Sequence, residues 1–328
     1  MTSARERVGR QARRHVGAAI GVAVDGTTQV AGFGVTGPNG GTPDEATSFQ
    51  IGSVTKVVTA LLLADAVTRG EVALDQPLTT AFPTAASHRS GRPIRLVDLA
   101  THTSGLPRLP PGLLRQARRQ RHDPYASFTL EQLDQALTQP PRRPPGGKPR
   151  YSNYGAGVLG ETLARLTGDP YAQLVHDRIV VPLGLRDTMI EVAGSGTNLA
   201  VGHTRRGKAT PDWHLPALAG AGALRSSVRD LLVLLRAHLE PDSTPLDPAV
   251  RLVMEPRAKI SRVLAVGLGW HILDRKSGVR WWWHNGGTGG FRSFVGFDPS
   301  ARRAVAVLAN DPRSVDRIGQ LLLTAPAA

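Results

Sequence analysis

Apolar residues alternate in short runs at both ends of the chain and recur at helical spacing through its middle. Near the start, AIGVAVDGTTQVAGFGV (19–35) sets two apolar-rich runs about Asp25-Gly26, which predicts two strands joined by a tight hairpin turn. FQIGSVTKVVTALLLADAV (49–67) predicts a buried helix that opens at Ser53 and ends at Gly70. IRLVDLATHTSGLP (94–107) predicts a short helix and a turn, and LPPGLLRQARRQRHDPYASF (109–128) a long polar segment. Thr129 caps a helix over TLEQLDQAL, with Glu131 and Gln132 in its first turn. The prolines of TQPPRRPPGGKPR remove backbone donors and fix φ, so that stretch is irregular. Helical spacing returns in YGAGVLGETLARLTG (154–168), in PYAQLVHDRIVVPLGL (170–185), and in SVRDLLVLLRAHL (227–239), where Ser227 and Asp230 form a capping box. GLGWHILDRKSGVRWWWHNGG and FRSFVGFDPSARRAVAVLAND then predict strands, with turns at Lys276-Ser277-Gly278 and Asp298-Pro299, before a closing helix in SVDRIGQLLL.

Strands at both chain ends with helices between them predict an α/β fold of the α+β kind. An antiparallel sheet is built from the two ends and flanked by helices, and a mainly helical region is inserted. Residues 16–70 and 220–328 are expected to form the sheet-containing part and 71–219 the mainly helical part of a single unit over 1–328.

With 328 residues, 41% hydrophobic and 20% charged, the chain is long enough to bury a substantial core. Cysteine is absent, which excludes disulfides, thiolate nucleophiles and zinc–thiolate sites. The net charge is +14, with arginines clustered at 5–14, 115–121 and 142–143. Such a chain can meet an anionic partner, but the clusters are scattered, aromatics are 5% and no nucleic-acid motif is present. Solvated surface charge and no nucleic-acid partner is the expectation. The arginine-rich start followed by VGAAIGVAV imitates a signal peptide, yet the apolar run is short and meets Asp25-Gly26 directly. No apolar run reaches 18 residues, so no membrane span and a cytoplasmic address are expected.

Three stretches carry candidate chemistry. Ser53 and Lys56 lie three apart on one helical face, where a lysine of lowered pKa could accept the serine's proton beside the positive helix end. A solvated lysine on an amphipathic helix is the bland alternative. Tyr151 and Asn153 of YSN could share a proton with the lysine and orient a substrate, or be a core tyrosine beside a helix cap. HNGGTGGF (284–291) could bring backbone N–H groups against a ligand, or be a glycine-rich hairpin loop. No G-x-S-x-G or H-E-x-x-H occurs and the ten histidines are isolated, so neither a metal nor another cofactor is expected.

Together with HTSGLP, PLGL and GALRSSVRDL, these stretches resemble in order and context the serine β-lactamase and penicillin-binding superfamily. The resemblance is to its class C β-lactamase-like branch of D-aminopeptidases, DD-carboxypeptidases and family VIII esterases, and it covers nearly the whole chain. It implies that Ser53 is the acylated nucleophile, Lys56 its activating amine, and Tyr151 a general base and then acid. It implies an oxyanion hole from the backbone N–H groups of Ser53 and Gly287. Asn153, His284, Asn285, Gly286 and Arg292 are implied to bind substrate, and His102 to fix a turn near the site. His284 stands where many members carry the lysine of K-T-G, which weakens the case for a β-lactam substrate and leaves Arg292 as a compensating cation. The implied function is an acyl-enzyme hydrolase or transacylase for a small ester, amide or peptide. A β-lactamase, a DD-carboxypeptidase and a non-catalytic basic binding homologue are the alternatives.

Overall fold

The computed structural model describes residues 4–190, 198–275 and 278–325. Its helices are α1 (Ala4–Ala12), α2 (Thr55–Thr68), α3 (Leu96–Ala100), α4 (Leu113–Ala117), α5 (Leu130–Leu137), α6 (Asn153–Thr167), α7 (Tyr171–Val175), α8 (Val181–Leu183), α9 (Ala219–Gly222), α10 (Val228–Leu239), α11 (Asp247–Met254) and α12 (Asp316–Leu323). Its strands are β1 (Gly17–Val24), β2 (Thr27–Gly34), β3 (Phe49–Gln50), β4 (Arg225–Ser226), β5 (Ala258–Lys259), β6 (Leu264–Val266), β7 (His271–Asp274), β8 (Arg280–Gly287), β9 (Arg292–Asp298) and β10 (Arg303–Ala309).

The sheet runs β2-β1-β10-β9-β8-β7-β6-β5 and every neighbouring pair is antiparallel. The Asp25-Gly26 turn joins β1 to β2, and the two chain ends meet where Ala18 pairs with Ala309. The apolar run after the arginine-rich start is therefore a sheet strand, paired on both sides. Among the described residues no helix is long and apolar enough to cross a membrane.

Side-chain alternation divides the sheet into two apolar faces. On one, Ala19, Ala304, Ala306, Leu308, Val295 and Phe297 join the core that surrounds α2 and α10. On the other, Ile20, Val305, Val307 and Phe294 pack under Val8 and Ala12 of α1 and Ile318 and Leu323 of α12. Helix α2 is apolar all round and buried from Thr55 to Ala66, the signature of a central helix. Lys56 is carried into that interior.

Several local expectations change. Ser53 does not open the α-helix; it sits in a 3₁₀ turn over Gly52–Val54 that runs directly into α2 at Thr55. The arginine-rich start is helix α1, held by its two inward apolar residues. The polar segment 109–128 contains α4. Ser227 caps α10 by accepting from Asp230 N, but the Asp230 carboxylate does not return the bond. It accepts instead from Asp187 N at 2.7 Å and Thr188 Oγ1 at 2.8 Å. Lys276 and Ser277 of the expected turn lie outside the described residues.

Candidate active site

Three separate parts of the chain converge on a cleft of about 530 Å³. The 3₁₀ turn brings Ser53, the start of α6 brings Tyr151 and Asn153, and the end of β8 brings Asn285, Gly286 and Gly287. Arg292 of β9 lies on the same wall. Lys56 and His284 lie outside the lining, each almost wholly buried. A larger cavity, about 970 Å³, shares Trp213 with the cleft and is lined by none of Ser53, Lys56, Tyr151, Asn153, His284, Asn285, Gly286, Gly287 or Arg292. The smaller one is the candidate site because the chemistry meets there.

Lys56 Nζ lies 3.0 Å from Ser53 Oγ and donates to Ala221 O of α9 at 2.5 Å. Burial holds the Lys56 amine well below its usual range, and the Arg108 charge pushes the same way. Tyr151 lies beside both: Nζ is 5.0 Å from its ring centroid and the Arg108 guanidinium 5.3 Å. Burial pushes the phenol up to about 12, against a hydrogen bond with Ser53 and the Arg108 charge, which both pull it down. The amine is thus the easier of the two to hold in its basic form at neutral pH.

The backbone around Ser53 is pressed against β8. Gly52 has φ +49°, and a Cβ on it would stand 2.6 Å from Gly287 N. A Cβ on Gly286 would stand 2.0 Å from Ile51 O and 3.0 Å from Ser53 N. Only paired glycines permit this approach, which packs the Gly52–Ser53 backbone against that of Gly286 and Gly287. Ser293 Oγ secures the contact by donating to Ile51 O at 2.7 Å. Strand β8 lies inside the sheet, not at its edge. Its pairing with β7 ends at Trp283, however, so residues 285–287 keep one side open to the cleft.

His284 is neutral: burial holds its imidazole well below the usual value, with His271, Lys56 and His102 pushing the same way. Its Nδ1 is 2.6 Å from Asn285 O, its Nε2 is buried without a partner, and its ring stacks on His271 at 5.1 Å and lies 6.3 Å from Tyr151. His102 takes a left-handed φ of +60°, accepts from Ser152 N at 3.3 Å through Nδ1, and packs 4.6 Å from the Tyr151 ring. It thus fixes the chain entering α6. Asn153 donates to Tyr125 Oη at 3.1 Å, and Asn285 donates to Asp316 at 3.1 Å. Arg292 donates to Thr288 O and Phe291 O, holding its guanidinium at the cleft wall.

The cleft also contains groups the sequence reading did not single out: Arg108, Tyr125, Trp213, His271 and Asp316. Arg108 directly follows the quoted HTSGLP, so its neighbourhood was visible though its role was not. Two arginines against one carboxylate leave the rim positive. Among the described residues no three metal-ligating side chains converge.

A relative at 32% identity over 301 residues, covering 85% of this chain and 75% of its own, is the D-alanyl-D-alanine-carboxypeptidase/endopeptidase AmpH of Escherichia coli (strain K12). A Beta-lactamase of the same organism is 28% identical over 317 residues, covering 85% and 80%. Penicillin-binding protein 4 of Amycolatopsis lactamdurans is 28% identical over 316 residues, covering 90% and 80%. Among solved structures, a Beta-Lactamase/D-Alanine Carboxypeptidase from Pseudomonas syringae superposes with TM-score 0.84 at 22% identity, over 98% of this chain and 97% of that one. A class C beta-lactamase superposes with TM-score 0.85 at 20% identity, over 98% and 94%. The fold is therefore that of the β-lactamase/transpeptidase group. The family model described as Beta-lactamase matches residues 3–328, and the chain belongs to that family as a β-lactamase-related serine hydrolase.

Proposed function

We propose that the protein hydrolyses small esters or amides through an acyl-enzyme on Ser53. The observation that carries this reading is the 3.0 Å contact between Ser53 Oγ and a buried Lys56 amine whose basic form is favoured. Neutral Lys56 takes the Ser53 proton as Oγ attacks the substrate carbonyl carbon. The oxyanion forms between the N–H groups of Ser53 and Gly287. Lys56 returns the proton through the Tyr151 hydroxyl to the leaving oxygen or nitrogen, and the bond from carbonyl carbon to leaving group breaks. Water then attacks the acyl-enzyme by the reverse proton path, releasing the acid and restoring Ser53. Tyr151, neutral up to about 12, acts here as a proton carrier. Asn153 and Asn285 orient the acyl group across the cleft.

Short-chain esters and D-amino-acid amides are the favoured substrates, because His284 presents no charge beneath the site. One observation favours a second reading, a carboxylate-bearing peptide or β-lactam: Arg108 and Arg292 both face the cleft. The name of the 32%-identical relative points the same way. A cytoplasmic address is proposed on the ground that the apolar run near the start is a sheet strand, and fractionation of producing cells tests it. The test of the main reading is labelling by a fluorophosphonate or fluorescent penicillin. Ser53→Ala should abolish labelling and ester hydrolysis while leaving the circular dichroism unchanged; a labelled Ser53→Ala protein would remove the assignment.

A further inference from the structure

The sheet face opposite Ser53 carries two adjoining concavities of different chemistry. The first, about 440 Å³, is lined by Arg7, Arg10, Gln11 and Arg14 of the N-terminal segment and by Arg317 of α12. Arg7, Arg10 and Arg14 recur at spacings of three and four, so they share one face of the helical turns while Val8 and Ala12 point into the core. Helix α1 packs on α12, which brings Arg317 to that face. Among the described residues no carboxylate lines the concavity. Among the described residues, none of these four guanidinium groups has a carboxylate within ion-pair distance, whereas Arg165, Arg178, Arg229, Arg251 and Arg302 each have one. Four like charges held around one hollow repel each other until an anion enters, and the guanidinium fork suits the oxygens of a phosphate.

The second concavity, about 430 Å³, begins at the same Arg317 and is apolar: Leu273, Trp281, Trp283, Phe294 and Leu321 line it. Trp283 stacks on Phe294 at 6.1 Å and 14°, and the Arg275 guanidinium covers Trp281 at 4.2 Å, closing the groove away from the arginines. Trp283, partly exposed here, leaves apolar surface for an alkyl group. We propose that this face binds a small single-chain amphiphilic anion, its phosphate-class head among Arg7, Arg10, Arg14 and Arg317 and its short apolar chain against Trp283 and Phe294.

The proposal is independent of the catalytic reading, since no residue of either concavity belongs to the cleft. The test is calorimetric titration of the full chain with n-octyl phosphate below its micellar concentration, with inorganic phosphate and n-octyl glucoside as the other arms. Octyl phosphate should bind at least about 10-fold more tightly than either. Arg10→Glu with Arg317→Glu should weaken it by at least about 10-fold and leave ester hydrolysis unchanged, which reports an intact fold. If the double variant does not fold, Arg10→Gln with Arg317→Gln takes its place. Equal binding of inorganic phosphate, equal binding of octyl glucoside, or no saturable binding would each overturn the proposal. So would retention on phosphatidylglycerol vesicles without binding of the monomeric amphiphile, which would assign the arginines to a membrane surface.

Discussion

Replacing Gly286 by alanine tests the oxyanion hole without touching any proposed proton carrier. The added Cβ would stand 2.0 Å from Ile51 O and 2.3 Å from Ser293 Oγ, where ordinary contact begins at 3.4 Å. The serine hydroxyl can rotate away. The Ile51 carbonyl cannot, because it is main chain immediately before the turn that carries Ser53. The two backbones must therefore part by roughly 1 Å, and a misplacement of about that size can cost around 100-fold in rate. Parting them separates the N–H groups of Ser53 and Gly287, and loss of one such donor costs about 10²–10³ in kcat, about 2.7–4 kcal/mol. We therefore expect p-nitrophenyl acetate hydrolysis to fall by about 10²–10³ in kcat, with a smaller change in KM. Gly9→Ala is the control: it has ordinary φ, nothing near its added Cβ, and should leave kcat unchanged. Wild-type kcat in a folded Gly286→Ala protein would refute the assignment of the hole. Should that variant fail to fold, Ser293→Ala loosens the same contact by removing the bond to Ile51 O, and a modest fall in kcat is expected.

Four further outcomes follow from the charges around the site. The rate should require neutral Lys56, so kcat/KM should fall in acid, with no alkaline fall until Tyr151 ionises near 12. Arg108→Gln removes a charge that lowers the Lys56 pKa, so its acid limb should move to higher pH; a limb that stays put would exclude Arg108 from tuning the amine. Wild-type protein should turn over a short ester at least about 10-fold better in kcat/KM than a chromogenic cephalosporin, about 1.4 kcal/mol in the barrier. His284→Lys should move that ratio toward the cephalosporin, and both substrates on both proteins at one pH decide it.

Features written in local chemistry were legible in the sequence. The Asp25-Gly26 hairpin needs only its own turn residues, and the Thr129 cap needs only Gln132. Ser53, Lys56, Tyr151 and the 284–287 stretch stand in recognisable order, so their meeting could be expected before it was seen. What depended on distant partners was not legible. The 3₁₀ turn at Ser53 is held by Ser293 across the sheet, and Asp230 leaves its capping box for Asp187 and Thr188. Helix α1 has so few apolar residues that only its contact with α12 explains it. Arg108 is marked only by its place after HTSGLP, and Trp213 and His271 carry no local mark; they line the cleft because the chain returns there.

Lys56 also makes a claim about stability. At neutral pH an unfolded lysine is protonated, with an ordinary value of 10.5, while the buried amine is driven toward its neutral form by desolvation. Folding must therefore strip a proton from Lys56 or bury its charge, and either costs free energy. Methionine matches the length of the side chain and carries no charge, so it can occupy the buried position without that cost. It leaves Ala221 O without its donor, a loss of about 1 kcal/mol. Removing an uncompensated buried charge outweighs this, so Lys56→Met should be inactive yet more stable at pH 7 by on the order of 1 kcal/mol. The pH dependence separates this cause from better packing. Because the folded amine's pKa is depressed, the destabilisation is largest below it. It shrinks as pH rises and vanishes once the unfolded lysine also loses its proton, near 10.5. The stability gap between variant and wild type should therefore narrow steadily from pH 7 to pH 10 in urea titrations. A gap that is constant or widens over that range would mean that Lys56 is not held neutral in the folded protein, and the serine would have lost its base.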